Sequence, residues 1–189
     1  MTFNLAAMPY ALELFFDSPT EHTVRSIWRV LAASSGSNYL EKNGVRPHAA
    51  VAVFDAASPE LFSDWHQLAQ YLPGLTLAPD GLGSFAQGVA FVRFAPDGPL
   101  ENLHHEALRY LETRQLTVSN HYRAGRWVPH CTLAQGFTPE RMTQVMESAR
   151  ASDLNAPWTI TSLGLVRFPP TQILGETPAV PPLHSKSSP

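Results

Sequence analysis

Cysteine is nearly absent from this chain: Cys131 is the single one in 189 residues. No internal disulfide can form, and a Cys/His zinc cluster lacks its ligands. No run approaches about 18 uncharged apolar residues, and Met1–Leu12 has neither the basic start nor the long apolar stretch of a secretion signal. A cytoplasmic protein without a membrane partner is expected. Basic residues are also few, 13 against 16 acidic ones, for a net charge of -3. Such a balance excludes a protein that grips long nucleic acid through many phosphates, because that binding needs a dense Lys and Arg surface. A nucleotide or an RNA end fits the charge better. What the chain does have is 44% apolar residues, ordinary for a globular domain of this length with a sizeable core. A monomer is expected.

Two short stretches share an outline. Val45-Arg46-Pro47-His48 and Arg126-Trp127-Val128-Pro129-His130 both carry an arginine and close on Pro-His. Both lead into apolar, strand-like sequence, His48-Ala49-Ala50-Val51 and His130-Cys131-Thr132-Leu133. Proline fixes its own backbone angle and pushes its predecessor extended, so each histidine begins a strand. Strand side chains alternate, which puts His48 on one face with Ala50 and His130 on one face with Thr132. Cys131 then faces the core and is expected to be buried and inert.

In these motifs the chain resembles the two-histidine phosphoesterases, which include the bacterial 2'-5' RNA ligase type and RNA 2',3'-cyclic phosphodiesterases. Their mark is a pair of His-x-Thr/Ser-x motifs. His130-Cys131-Thr132-Leu133 matches fully, whereas His48-Ala49-Ala50-Val51 has Ala50 where the family places Thr or Ser. The resemblance runs from about Tyr10 to Phe168. It implies a fold of two pseudo-symmetric lobes, each a small antiparallel sheet with helices outside, facing across a central groove that holds both histidines. It also implies His48 and His130 as a general acid and base on a phosphodiester, Thr132 as a phosphate-holding hydroxyl, and no metal or nucleotide cofactor.

The order of elements agrees with an α+β class. Tyr10–Phe16 reads as a strand, and Ser18-Pro19-Thr20-Glu21 as a capped helix start running to about Ala33. A loop at 34–38 precedes the motif strand His48–Phe54. Ser58-Pro59-Glu60 starts a second helix, with Leu61, Trp65, Leu68, Ala69 and Leu72 at helical spacing. Leu75–Ala78 and Val89–Phe94 are expected to pair around a turn at Pro79-Asp80-Gly81, with a hairpin loop to Gly88. A third helix spans Leu100–Arg114, the second motif strand Trp127–Ala134, a fourth helix Thr138–Ala151 and a last strand Trp158–Phe168. Strands and helices that do not alternate regularly point to antiparallel sheets. The reading is one bilobal domain over 1–168 and a loosely attached Pro-rich extension over 169–189, which holds six prolines among 21 residues.

Opening a 2',3'-cyclic phosphate needs one group to deprotonate water and another to protonate the leaving ribose oxygen. Imidazole, with an ordinary pKa of about 6.5, suits both tasks. Thr132 can donate to a non-bridging oxygen, and Arg46, Arg126, Arg167 and Ser84 are the expected further substrate contacts. Ala50 cannot donate at all. A missing hydrogen bond to a charged phosphate costs roughly 1.5–3 kcal/mol, about ten- to over a hundredfold in rate. Two readings follow: a cyclic phosphodiesterase or reversible 2'-5' RNA ligase, or a catalytically weak protein of the same fold that binds nucleotides or RNA ends. A metal-dependent hydrolase built on the other histidines is the third. His104 and His105 are adjacent on a helix about 100° apart and read as solvated, and His22, His66, His121 and His184 form no ligand pattern. No metal is expected.

Overall fold

Strand β1 (Pro9–Phe16) is buried almost throughout because both of its faces are used. Tyr10, Leu12, Leu14 and Phe16 enter the main hydrophobic core, while the alternate residues Ala11 and Glu13 line a cleft. The structure, a computed structural model, describes residues 9–56, 62–154 and 156–179. Helix α1 (Ser18–Ser35) is capped by the Asp17 side chain, which accepts from the Thr20 N–H at 2.9 Å. It runs past the expected end at Ala33 because Gly36, in a left-handed conformation at φ 66°, closes it, and Ser34 and Ser35 are buried. The one-turn helix α2 (Tyr39–Lys42) and strand β2 (His48–Asp55) follow.

The expected second helix is a 3-10 segment, Trp65–Tyr71. Its buried Trp65 and Leu68 stand three apart, a spacing that a three-residue turn satisfies as well as an α-helix. The proposed start at Ser58-Pro59-Glu60 lies outside the described residues. Strands β3 (Thr76–Leu77), β4 (Pro79–Phe85) and β5 (Val89–Phe94) correct the expected hairpin. β3 pairs with Trp158 and Thr159 rather than with 89–94, and the supposed turn and loop form β4, which pairs with β5 from Pro79↔Phe94 to Phe85↔Val89. The glycines misled because they serve the strand. Gly81, at φ 90°, sits in a register shift, and Gly83 lies beneath the Phe91 ring, where an added Cβ would meet Cε2 at 2.4 Å.

Helix α3 (Gly98–Thr113), capped by Asp97, buries Leu100, Leu103, Ala107 and Leu111. Then come β6 (Thr117–Val118) and the second motif strand β7 (His130–Gln135). The expected fourth helix is split into a 3-10 turn, Pro139–Arg141, and helix α4 (Met142–Arg150). Strands β8 (Trp158–Arg167) and β9 (Gln172–Pro178) complete the described chain. β9 corrects the reading of a loose extension for 172–178, while 180–189 lie outside the described residues. It pairs antiparallel with β8 from Arg167↔Gln172 to Ser162↔Pro178, with its prolines in the turn and at the last strand position, where a missing N–H does no harm. Glu176 anchors it further, accepting from Ser162 Oγ and pairing with Arg46.

The fold is α+β with two antiparallel sheets, but the lobes are unequal. One sheet runs β3-β8-β1-β2-β6 with β9 on the outer side of β8; the other runs β4-β5-β7. The helices are exchanged between them: α1 leaves the large sheet and packs on β7, and α3 leaves the small sheet and packs on β2. Two details repeat across this exchange. Leu12 opposes Ala52 and Glu13 opposes Ala50, which leaves Val51 as an extra residue; Ala90 opposes Ala134 and Phe91 opposes Thr132, which leaves Leu133. Each motif thus ends on a bulge. Beside each bulge a tryptophan holds the carbonyl of the residue two past the histidine: Trp127 Nε1–H donates to Ala50 at 3.0 Å and Trp28 Nε1–H to Thr132 at 2.9 Å. Trp28→Phe and Trp127→Phe keep an aromatic ring and lose that bond, so each is expected to lower stability by about 1–2 kcal/mol, read as an earlier urea midpoint with an unchanged slope.

Candidate active site

His48 and Ala50 from β2, and His130 and Thr132 from β7, line one cleft of about 450 Å3 between the sheets. The cleft is mostly apolar. Phe85, Val89 and Trp127 supply wall, and among the described residues Arg126 is the one arginine on it. Glu13, from β1, is the one acid among them, 5% exposed.

Both imidazoles are fixed by their own backbone. His48 Nδ1 lies 2.7 Å from the Arg46 carbonyl oxygen, and His130 Nδ1 lies 2.7 Å from that of Val128. A carbonyl can only accept, so in each ring Nδ1 carries the proton, and Nε2 of the neutral ring is left with its lone pair. The prolines explain the repeat. Pro47 and Pro129 are both buried, and each holds the residue before it extended, with its carbonyl turned back to the ring that follows.

The two rings differ in surroundings. His130 packs against Phe91 and Phe85, with ring centroids 4.8 and 5.3 Å away. Burial pushes its imidazole below the ordinary value; His48 acts in the same direction, and the Val128 hydrogen bond opposes. Beside His48 there is a carboxyl instead, Glu13 Oε1 at 3.5 Å from Nε2. Burial raises the Glu13 carboxyl above the usual range, against the pull of His48 and Arg46. Cys131, between the site residues in sequence, is buried, and burial lifts its thiol to about 12. It is no nucleophile at neutral pH.

Of the four further contacts expected, only Arg126 lines the cleft. Arg46 is turned away, paired with Glu21 at 2.5 Å and Glu176 at 2.9 Å and lying 4.1 Å over the Phe15 ring. Its location beside the motif reflects a structural task. Arg167 hydrogen-bonds Gln172 at the base of β9, and Ser84 is exposed on β4; neither borders the cleft. His104, read as solvated, is buried: it stacks on Trp127 at 4.0 Å, and its Nε2–H donates to the Tyr122 carbonyl at 2.9 Å. It therefore supports the tryptophan that holds Ala50. Composition could not reveal this, because a histidine inside an amphipathic helix looks the same whether its neighbour is water or a ring. Glu13 was missed too, although an acid inside the apolar run of β1 was the signal for it. His105 is exposed, and His184 lies outside the described residues. Among the described residues no group of three or more His, Cys, Asp or Glu side chains is gathered as a metal ion would require. No described helix is long and apolar enough to cross a membrane.

A sequence profile of the 2'-5' RNA ligase superfamily matches residues 16–170. Solved structures share the fold at low identity. E. coli LigT complexed with 3'-AMP is 16% identical with a TM-score of 0.64, over 92% of this chain and 99% of that one. A crystal structure described as a phosphoesterase is 17% identical, also with a TM-score of 0.64 and with 92% and 99% covered. TT0787 of Thermus thermophilus is 16% identical with a TM-score of 0.60, over 93% and 100% of the two chains. No curated protein matches the chain by sequence.

Burial also depresses the His104 imidazole, with His105 in the same direction and the Tyr122 bond opposing. An unfolded chain binds protons at these two histidines from about pH 6.5 downward, while the folded chain resists them, so stability is lost as pH falls from there through the depressed folded values. His104→Gln keeps a donor for Tyr122 and removes one titrating ring. The drop in urea midpoint from pH 7.5 to 5.5 should be smaller in this variant than in the wild type; equal drops would show that His104 carries none of it.

Proposed function

The chain belongs to the 2'-5' RNA ligase superfamily, and from that premise we propose that it is a metal-independent phosphodiesterase opening the 2',3'-cyclic phosphates of nucleotides or RNA ends, with 2'-5' joining as the same ring opening carried out by an RNA 5'-hydroxyl in place of water. The observation that carries the reading is the pair of motif histidines on one cleft, each with Nδ1–H tied back so that Nε2 is the atom able to exchange protons. His130, held neutral by its apolar wall, takes the proton of the attacking water as the water oxygen bonds to phosphorus. His48, which has an acidic neighbour where His130 has two phenyl rings, delivers a proton to the ribose oxygen as its bond to phosphorus breaks. Environments that differ in this way separate the two roles. Thr132, on the His130 face, donates its hydroxyl to a non-bridging oxygen as charge builds there.

Arg126 is the nearest source of fixed positive charge on the cleft. One cation suits a substrate with one phosphodiester, such as a cyclic mononucleotide or the last residue of an RNA. The apolar wall, with Phe85 and Trp127, offers faces for base or ribose. That 3'-AMP is bound in the LigT structure is consistent with a ligand of this size. Ala50 and the scarcity of cations favour a second reading, a nucleotide or RNA-end binder of weak activity.

Turnover of 2',3'-cyclic AMP in the presence of a chelator separates the two. The wild type is expected to hydrolyse it, His48→Ala and His130→Ala to lose about 100- to 10,000-fold in kcat, and Thr132→Ala about 10- to 100-fold. Equal turnover by all four proteins would remove the catalytic assignment. Saturable binding with no product would leave the binding reading in its place.

A further inference from the structure

Half-site two presents Thr132 opposite Phe91 across the sheet; half-site one presents Ala50 opposite Glu13. The positions correspond through the two bulges, because each pair stands directly before the extra residue, Leu133 or Val51. Each half-site therefore holds one apolar and one polar member, with the polar member on opposite strands of the pair. Glu13 is on the cleft, 5% exposed and 3.5 Å from His48 Nε2. Building on the phosphodiesterase reading above, we infer that Glu13 is the phosphate-binding donor of the first half-site, its neutral carboxylic acid replacing the hydroxyl that Ala50 lacks.

A carboxylate at this place would repel a phosphodiester, and a carboxylic acid would bind one through its O–H. The surroundings favour the acid. The groups facing Glu13 are His48 on β2, Arg46 before it, the Cys131 thiol on β7 and the Tyr122 phenol, and its neighbour on β8 is Gly164, without a side chain. Arg46 is already held by Glu21 and Glu176. Burial outweighs the pull of the two cations, and a bound anion pushes the same way, since it disfavours a second negative charge. An apolar site can keep a carboxyl neutral for hydrogen-bond donation in this manner.

Sulfate, whose charge is constant between pH 5 and 9, tests donation apart from turnover, with the histidine ring protons followed by NMR. Glu13→Ala is expected to weaken sulfate binding and to lower kcat on 2',3'-cyclic AMP about 10- to 100-fold. Glu13→Gln retains an N–H donor and should lose clearly less than Glu13→Ala in both measurements. Ala50→Thr added to Glu13→Ala should recover most of the loss. Wild-type sulfate affinity should also fall as pH rises and Glu13 ionises, and Glu13→Gln should lose that part of the dependence. If Glu13→Gln is as damaging as Glu13→Ala, the group acts as a carboxylate and the inference fails. An active wild type unaffected by Glu13→Ala overturns the inference alone. A wild type that neither hydrolyses the nucleotide nor binds sulfate overturns the phosphodiesterase reading with it. Thermal unfolding of each variant separates loss of the donor from loss of the fold.

Discussion

The bond from each motif histidine back to the carbonyl two residues before it is the constraint on which the site rests. It fixes which nitrogen is protonated and leaves Nε2 available, at 2.7 Å in both copies. Its cause is local: a buried proline between carbonyl and ring allows few backbone conformations there. The rest of the molecule brings the two copies together. Exchanged helices, a tryptophan on each motif strand and a bulge after each motif convert two separate strands into the two sides of one cleft. None of these would be useful if either ring were free to turn over, because a flipped imidazole would present its carbon edge or the wrong tautomer to the cleft.

The asymmetry of the halves matters as much as their repetition. A two-fold site with identical halves would give both histidines the same proton affinity, and acid and base roles would then depend on substrate alone. Here one ring lies against Phe85 and Phe91 and the other beside Glu13. Replacing the first hydroxyl by Ala50 therefore belongs with a second change, the acid on the neighbouring strand. Considered singly, Ala50 reads as damage; considered with its cross-strand partner, it reads as a relocated polar group.

How much of this was legible in the chain follows from the range of the interactions. Pro-His pairs, the Ser18-Pro19-Thr20-Glu21 helix start and the apolar run of β1 act within a few residues, and the elements they define were recovered. Features set by distant partners were not. Glycines at 81 and 83 signal a turn unless Phe91 lies over the strand, and 169–178 looks loose unless Glu176 meets Ser162 and Arg46. Arg46 sits two residues from His48, yet its guanidinium is committed to Glu21 and Glu176, so closeness in sequence was a poor guide to function. His104 and Glu13 show the converse, being remote in sequence from the motif strands that they support.

Charge unifies the composition with the cleft. A protein that bound a long polyanion would spread cations over a surface, each worth little through screening water. This cleft instead offers the imidazoles of His48, His130 and His121, the Thr132 hydroxyl, a buried carboxyl and one arginine within mostly apolar walls, where each polar contact is strengthened by the lower local dielectric. Such a site can hold a single phosphodiester without a basic surface around it. On the reading proposed above, the overall charge of -3 disfavours long RNA, which would bring many phosphates near the surface, more than a mononucleotide, which brings few.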